Sequence, residues 1–272
     1  MPFTLIKGKF VPEAGKPDGD SMRFRPHDDT PLYKLKRRGS APKLSPKTGT
    51  IQLRFEAIDT MESKSALPYS KAATDSNLEL CGVPNGVGEA NGYILTNQVG
   101  PNGRPIAFVY LGDCDDEDGS QVYLDEVRLK ESINYKQLQR GHAYPLFYDT
   151  LFSDLRIVLS ELVVKTRMDQ IGIWGDDVTT SGAKYTGPDS VLTMKPLFPK
   201  LWRRLHKFSC ADDIEDNTDL TYFYEYLSSL REERIFIISE SKTTGLDNVV
   251  KIDGDRISLR YLPEDLIVIS IS

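Results

Sequence analysis

Cysteine and histidine are scarce in this sequence of 272 residues, with three of each. Cys81, Cys114 and Cys210 are widely separated, which excludes a disulfide framework and any paired-thiolate metal spacing; free thiols of a reducing compartment are expected. His27, His142 and His206 are as scattered and form no zinc motif. No apolar run approaches the roughly 20 residues that cross a bilayer, so no membrane association is expected. The opening "MPFTLIKGKF" has neither the apolar core nor the small-residue cleavage site of a secretory signal. A cytoplasmic protein is expected, with export by a device that needs no signal left open. An excess of basic charge is missing too. The net charge of −6 argues against a general nucleic-acid coat, although a local basic groove can still hold a phosphate backbone.

What is present fits a soluble protein with a real core: 39% hydrophobic and 27% charged residues. The length suggests one large domain or two ordinary ones. "FTLIKGKFV" (3–11) and "MRFR" (22–25) read as strands flanking a Pro-, Gly- and Asp-rich turn, and another strand opens at 51–58. "SKAATDSNLELCG" (70–82) predicts a helix stopped by Gly82, "YKQLQRGHA" (135–143) one stopped by Gly141, and 153–168 a longer amphipathic helix. Between them "GYILTN" and "RPIAFVYLGD" form strands joined through "QVGPNG". The polar stretch "VTTSGAKYTGPDS" (178–190) is the best linker candidate. The expected class is α+β: a small barrel with packed helices over 1–180, then a small α+β domain over 181–272, containing a helix at 221–234 and four short strands.

Three further features invite functional readings. The loop 33–47 carries Lys34, Lys36, Arg37, Arg38, Lys43 and Lys47 among Ser, Pro and Gly. A mobile, solvated loop is expected, whose lysines could screen a polyanion. The acidic stretch 112–121 fails the EF-hand pattern, because Cys114 and Asp125 fall at the first and last ligand positions; a solvated turn is the better reading. The aromatic run Tyr222, Phe223, Tyr224 and Tyr226 could stack bases. Helical spacing favours a core face instead, and the acids Asp212, Asp213, Glu215, Asp216 and Asp219 would repel phosphate.

The segment "IQLRFEAIDTMES" (51–63) is stranger. An arginine interrupts its alternation, and an aspartate and a glutamate end it. An exposed edge strand with a local ion pair would account for that. So would a site. The turn "PDGDS" adds Asp18 and Asp20, and "GPNGRP" adds Arg104. Carboxylates and a carbonyl are hard oxygen donors that suit Ca2+ or Mg2+ rather than zinc. Paired guanidiniums suit a phosphodiester gaining charge during in-line attack. A further carboxylate can orient or deprotonate water. Arg54 and Asp59 have opposite strand parity, so the strand must twist or bulge before Asp59 for both to serve one site.

The order "DGDS … RFEAIDTMES … NGRPIAFVYL … QRGHA … GIWGDD", spanning about residues 3–177, resembles the staphylococcal nuclease (thermonuclease-like) family. The resemblance implies an OB-fold barrel and a Ca2+-dependent nuclease of DNA and RNA, with Mg2+ or Mn2+ as other candidate cations. It implies Asp20, Asp59 and the Thr60 carbonyl as metal ligands, Arg54 and Arg104 on the scissile phosphate, and Glu62 as general base. Departures are Met61 for the family's proline, Ser21 for threonine, and Pro101-Asn102-Gly103 before Arg104 where a lysine and a tyrosine are usual. The family's tyrosine after the Q-G-x-A helix corresponds to Phe147 or Tyr148, with Tyr148 the candidate nucleic-acid contact.

"IDGDRISL" (252–259) echoes the first turn, but no R-x-x-x-x-D-T segment follows, and an Asp-Gly hairpin without metal is expected. The carboxy-terminal part is expected to regulate the nuclease or bind a protein partner or inhibitor. A non-catalytic OB-fold scaffold for nucleic acid or protein is the alternative function.

Overall fold

Two glycines set the packing of the main sheet. Gly8 and Gly92 face each other in register on the antiparallel strands Pro2–Phe10 and Ala90–Val99. A Cβ on Gly8 would lie 2.6 Å from the Phe24 ring, and one on Gly92 would lie 2.3 Å from the Phe10 ring. Bare backbone therefore makes room for two fully buried phenylalanines, whose ring centroids are 5.7 Å apart. In the computed structural model, which describes residues 2–37, 39–66, 68–211, 217–230 and 234–269, these strands centre an eight-stranded sheet.

Its order is Ile51–Gln52, Arg23–Pro26, Pro2–Phe10, Ala90–Val99, Pro105–Leu111 and Arg54–Phe55, with Lys36–Arg37 and Gln121–Tyr123 paired alongside. The first and last strands of that path are neighbours in the chain, separated by Leu53 alone. The sheet must therefore curl until its edges nearly meet. The result is a nearly closed, barrel-like sheet in an α+β protein. A register shift between Thr96 and Gln98 bulges Ala90–Val99 against Pro105–Leu111.

The helices expected near 70–82, 135–143 and 153–168 are found as Tyr69–Leu80, Ile133–Gln139 and Ser153–Met168. Gly82 and Gly141 follow the first two with φ of 75° and 64°, as a helix stop requires. Ser132 caps the second by accepting the Tyr135 backbone N–H. Among the described residues no helix is long and apolar enough to cross a membrane.

Three expectations need correction. The run 51–58 is not one strand. It breaks into Ile51–Gln52, Arg54–Phe55 and Ile58–Asp59: at Leu53 the chain passes from pairing with Arg23–Phe24 to pairing with Ile106–Ala107, and before Ile58 Ala57 turns into the left-handed region at φ 67°. The stretch 178–190 is no exposed linker: Thr179, Ala183 and Tyr185 are buried, and Ala183–Lys184 pairs with Arg256–Leu259. The helix expected at 221–234 is described only as Phe223–Ser229. Phe223 is fully buried there, and Tyr222 and Tyr226 pack on the core, so the run serves packing. The acids Asp212, Asp213, Glu215 and Asp216 lie outside the described residues.

Residues on either side of position 180 share contacts. Phe147–Tyr148 pairs in parallel with Leu266–Ile269, which continues to Arg234–Ile237 and Lys242–Gly245 in a four-stranded sheet. Arg167 makes a two-point ion pair with Glu264, and Tyr144 packs edge-on against Phe198. "IDGDRISL" forms a hairpin turning at Gly254-Asp255 between Val250–Asp253 and Arg256–Leu259.

Candidate active site

The turn carrying Asp18 and Asp20 is fixed from two helices. Asn77 donates its side-chain amide to the carbonyls of Asp18 (2.6 Å) and Ser21 (3.1 Å). Gln137 donates to the carbonyls of Gly19 (2.7 Å) and Ala73 (2.9 Å). Both amides are fully buried, so these bonds have little competition from water. Gly19 is required at the tip, because a Cβ there would lie 2.7 Å from both Ala73 and Thr60 side-chain atoms.

Asn134, one turn before Gln137, holds the second acid-bearing segment. It donates to the carbonyls of Glu56 (2.8 Å) and Ala107 (3.0 Å) and accepts the Val109 N–H (3.0 Å). One helix face thus clamps the turn that carries Asp20 and the turn that leads to Asp59. The strand Ile58–Asp59 pairs with Tyr144–Pro145, and the Tyr144 hydroxyl donates to Asp177 at 2.6 Å.

The Glu56–Ala57 turn resolves the parity conflict. Arg54 and Asp59 come to the same side, with Arg54 Nη2 3.3 Å from Asp59 Oδ1. Asp18, Asp20, Arg54, Asp59, Thr60, Glu62, Arg104 and Tyr148 all line one cavity of about 1050 Å³. Of the two neighbouring positions, Phe147 is fully buried, whereas Tyr148 lines the cavity. Glu62, without a proline before it, is steadied by a turn in which its carbonyl accepts both the N–H and the hydroxyl of Ser65, each at 2.8 Å.

Lys34, Lys36 and Arg37 are exposed and lie outside the cavity lining; Arg38 falls outside the described residues. The expected mobile loop is partly ordered there, through a short helix Thr30–Lys34 and the pairing of Lys36–Arg37 with Gln98 and Val99. Ser40 donates its N–H to the Pro101 carbonyl at 3.0 Å, which ties the basic segment to the rim holding Arg104.

The other wall comes from a helix not expected from the sequence, Pro199–Ser209. Leu201, Trp202, Leu205 and Phe208 are buried, and the Trp202 indole N–H donates to the Val191 carbonyl at 2.9 Å. Lys200, Arg203 and Arg204 line the cavity. Arg203 forks onto Asp59, Nη1 to Oδ1 at 3.0 Å and Nη2 to Oδ2 at 2.7 Å, and its Nη1 reaches Glu62 Oε1 at 2.9 Å. The signal was present: Leu201, Leu205 and Phe208 at helical spacing after Pro199 at the helix start. Nothing local announces that its arginine meets Asp59.

Electrostatics separate the two central acids. Burial pushes the Asp20 carboxyl well up, with Asp18 and Asp59 adding to the rise and Arg54 opposing it. Burial would raise Asp59 as well, but Arg203 and Arg54 hold it below the usual range. Both guanidiniums lose solvation and are nonetheless held more firmly charged, Arg54 by Asp20 and Asp59, Arg203 chiefly by Asp59. Glu56, also on the cavity, is pushed up by burial to about 7.

Among the described residues no group of three or more His, Cys, Asp or Glu forms a metal cluster. The donors that converge, Asp20 and Asp59 with Thr60 beside them, are of the hard-oxygen kind that suits Ca2+ or Mg2+. Asp20 is buried and raised in pKa, a carboxylate whose charge an added cation would stabilise. By donor chemistry alone these oxygens suit a hard cation, and Arg203 already holds both oxygens of Asp59. No family model matches the chain, and no curated protein matches it.

Proposed function

We propose that this chain is a cation-dependent nuclease built on an OB-fold barrel, hydrolysing phosphodiester bonds of DNA or RNA with little regard to sequence. One observation carries this: Asp20, Arg54, Asp59, Glu62 and Arg104, drawn from separate stretches, line a single cavity. Ca2+, or Mg2+ or Mn2+ in its place, would be held by Asp20, Asp59 and the Thr60 carbonyl, and supplies positive charge against the phosphate and the attacking water. Arg54 and Arg104 bind the phosphate and offset the charge that grows on its oxygens. Glu62 accepts a proton from the water as its oxygen bonds to phosphorus and the ester bond to the leaving oxygen breaks. Tyr148 and the basic segment around Lys34, Lys36 and Arg37 contact neighbouring nucleotides.

The test is digestion of plasmid DNA and total RNA by the full chain with Ca2+, Mg2+, Mn2+ or chelator. Cleavage that needs a cation supports the proposal. A second reading, a non-catalytic nucleic-acid-binding scaffold, is favoured by the Arg203 contacts that occupy Asp59 and Glu62. Retarded migration of nucleic acid with no cleavage under any cation would select it.

A further inference from the structure

We propose that Arg203 is a tethered counter-cation that competes with the divalent cation for Asp59, and that a phosphate entering the cavity draws it away. This rests on the cation-dependent reading above and adds a residue that sets when the cation can bind.

The contacts already have the form of a cation site. A guanidinium grips both Asp59 oxygens at 2.7 and 3.0 Å and one Glu62 oxygen at 2.9 Å. A small ion bound to Asp59 must share those oxygens with Arg203 or displace it. Displacement is open to the side chain alone. The helix is anchored by Trp202, Leu205 and Phe208, which are buried, whereas the Arg203 side chain is 31% exposed and faces the cavity. No backbone movement is needed.

Leaving Asp59 with Arg54 alone, at 3.3 Å from one oxygen, is costly, since a buried carboxylate that loses its two-point partner keeps its desolvation penalty. The exchange is favourable only when the cation takes the carboxylate and the guanidinium finds another anion. Arg54 and Arg104 line the same space and are suited to a phosphate, and Arg203 can join them there. Linkage then makes cation and phosphate bind cooperatively, each raising the affinity of the other by the same factor.

The experiment measures Ca2+ binding by titration calorimetry to the full chain, to Arg203→Met and to Arg203→Gln, with Asp59→Asn as control. Each is repeated with a saturating nucleoside 3′,5′-bisphosphate. Without nucleotide, both Arg203 variants should bind Ca2+ roughly ten-fold or more tightly than the unaltered chain, the scale of an ordinary coupling between sites. The bisphosphate should raise Ca2+ affinity more in the unaltered chain than in either variant. Equal Ca2+ affinity in the unaltered chain and in a folded variant overturns the competition and leaves cation-dependent cleavage standing. Ca2+ uptake by neither, with Asp59→Asn indistinguishable, overturns both. Two substitutions guard against one that fails to fold, and thermal unfolding of each shows which qualifies.

Discussion

Arg203 and Asp59, 144 residues apart in the chain, meet as a two-point ion pair in which the carboxylate is 1% exposed and the guanidinium 31%. That asymmetry decides which partner can move: Asp59 is fixed by the pairing of its strand with Tyr144–Pro145, while Arg203 borders open space. Replacing Asp59 therefore strands a cation that retains a path to solvent. Replacing Arg203 leaves a buried anion with only Arg54, 3.3 Å from one of its oxygens, which is the more damaging loss unless another cation arrives. Arg203→Met should lower the melting temperature in chelator and regain much of the loss when Ca2+ is added. Thermal unfolding with and without Ca2+ checks this, and an equal deficit in both would contradict it.

Arg54→Ala and Glu62→Gln should each cut cleavage by roughly a hundred- to ten-thousand-fold while the far-ultraviolet dichroism stays the same. Both side chains line the cavity, and neither is part of the apolar core. Single-turnover rates on a short labelled duplex are the measurement. Unaltered rates in both variants would end the nuclease proposal.

Glu56 gives a pH dependence with a definite sign. Its carboxyl is raised from an ordinary 4.5 to about 7 by burial. Between those values the folded chain keeps a proton that the unfolded chain has released, so stability falls as pH rises through this window. The full loss is on the order of 3 kcal/mol, since each tenfold difference in proton affinity is worth about 1.4 kcal/mol. Glu56→Gln should remove the slope, matching the unaltered chain near pH 4.5 and exceeding it at pH 8. Denaturant midpoints at several pH values test this. Parallel curves for the two proteins would show that Glu56 is not held protonated.

Asn134→Ala should be among the most destabilising single changes. It leaves the Glu56 carbonyl and the Val109 N–H without the side-chain partner each has now, while the Ala107 carbonyl keeps the Glu56 N–H at 2.9 Å. At about 1–3 kcal/mol for each group that loses its partner, a loss of roughly 2 kcal/mol or more is expected in urea unfolding. Gln137→Leu, which unpins the carbonyls of Gly19 and Ala73, should cost less in stability. It should weaken Ca2+ binding more than its stability loss explains, because the Asp20 turn is what it holds. Intact Ca2+ affinity in that variant would show the turn to be self-supporting.

Ending the chain at residue 180 should not yield a stable fold. Phe147 and Tyr148 would lose their pairing to Ile267 and Val268, Tyr144 its contact with Phe198, and Arg167 its ion pair with Glu264. A broad, non-cooperative unfolding transition is expected for residues 1–180. A sharp transition near that of the full chain would mean that the first 180 residues fold alone.

Much of the architecture could be read along the chain because it is written locally. The helix at 153–168 shows its period in apolar residues, and Gly82 and Gly141 supply the positive φ that ends the two before it. The gathering of Asp20, Arg54, Asp59, Glu62 and Arg104 was approachable through ordered motifs alone. The rest was hidden for physical reasons. A left-handed alanine at position 57 has no residue signature, since nothing in an alanine favours positive φ. Asn134 and Gln137 look like ordinary polar positions of a helix until the carbonyls they bind are known. Arg203 looks like one charge on the solvent face of an amphipathic helix. Its meaning lies wholly in a partner from a remote stretch, and long-range pairings leave no trace in local pattern.

The cavity is lined by Ser229, Leu230, Val268 and Ile269 as well as by the acids. During translation the acids and Arg54 emerge early, and the arginine that covers Asp59 comes off the ribosome much later. A half-made polypeptide thus carries its reactive groups without the walls that shape their chamber.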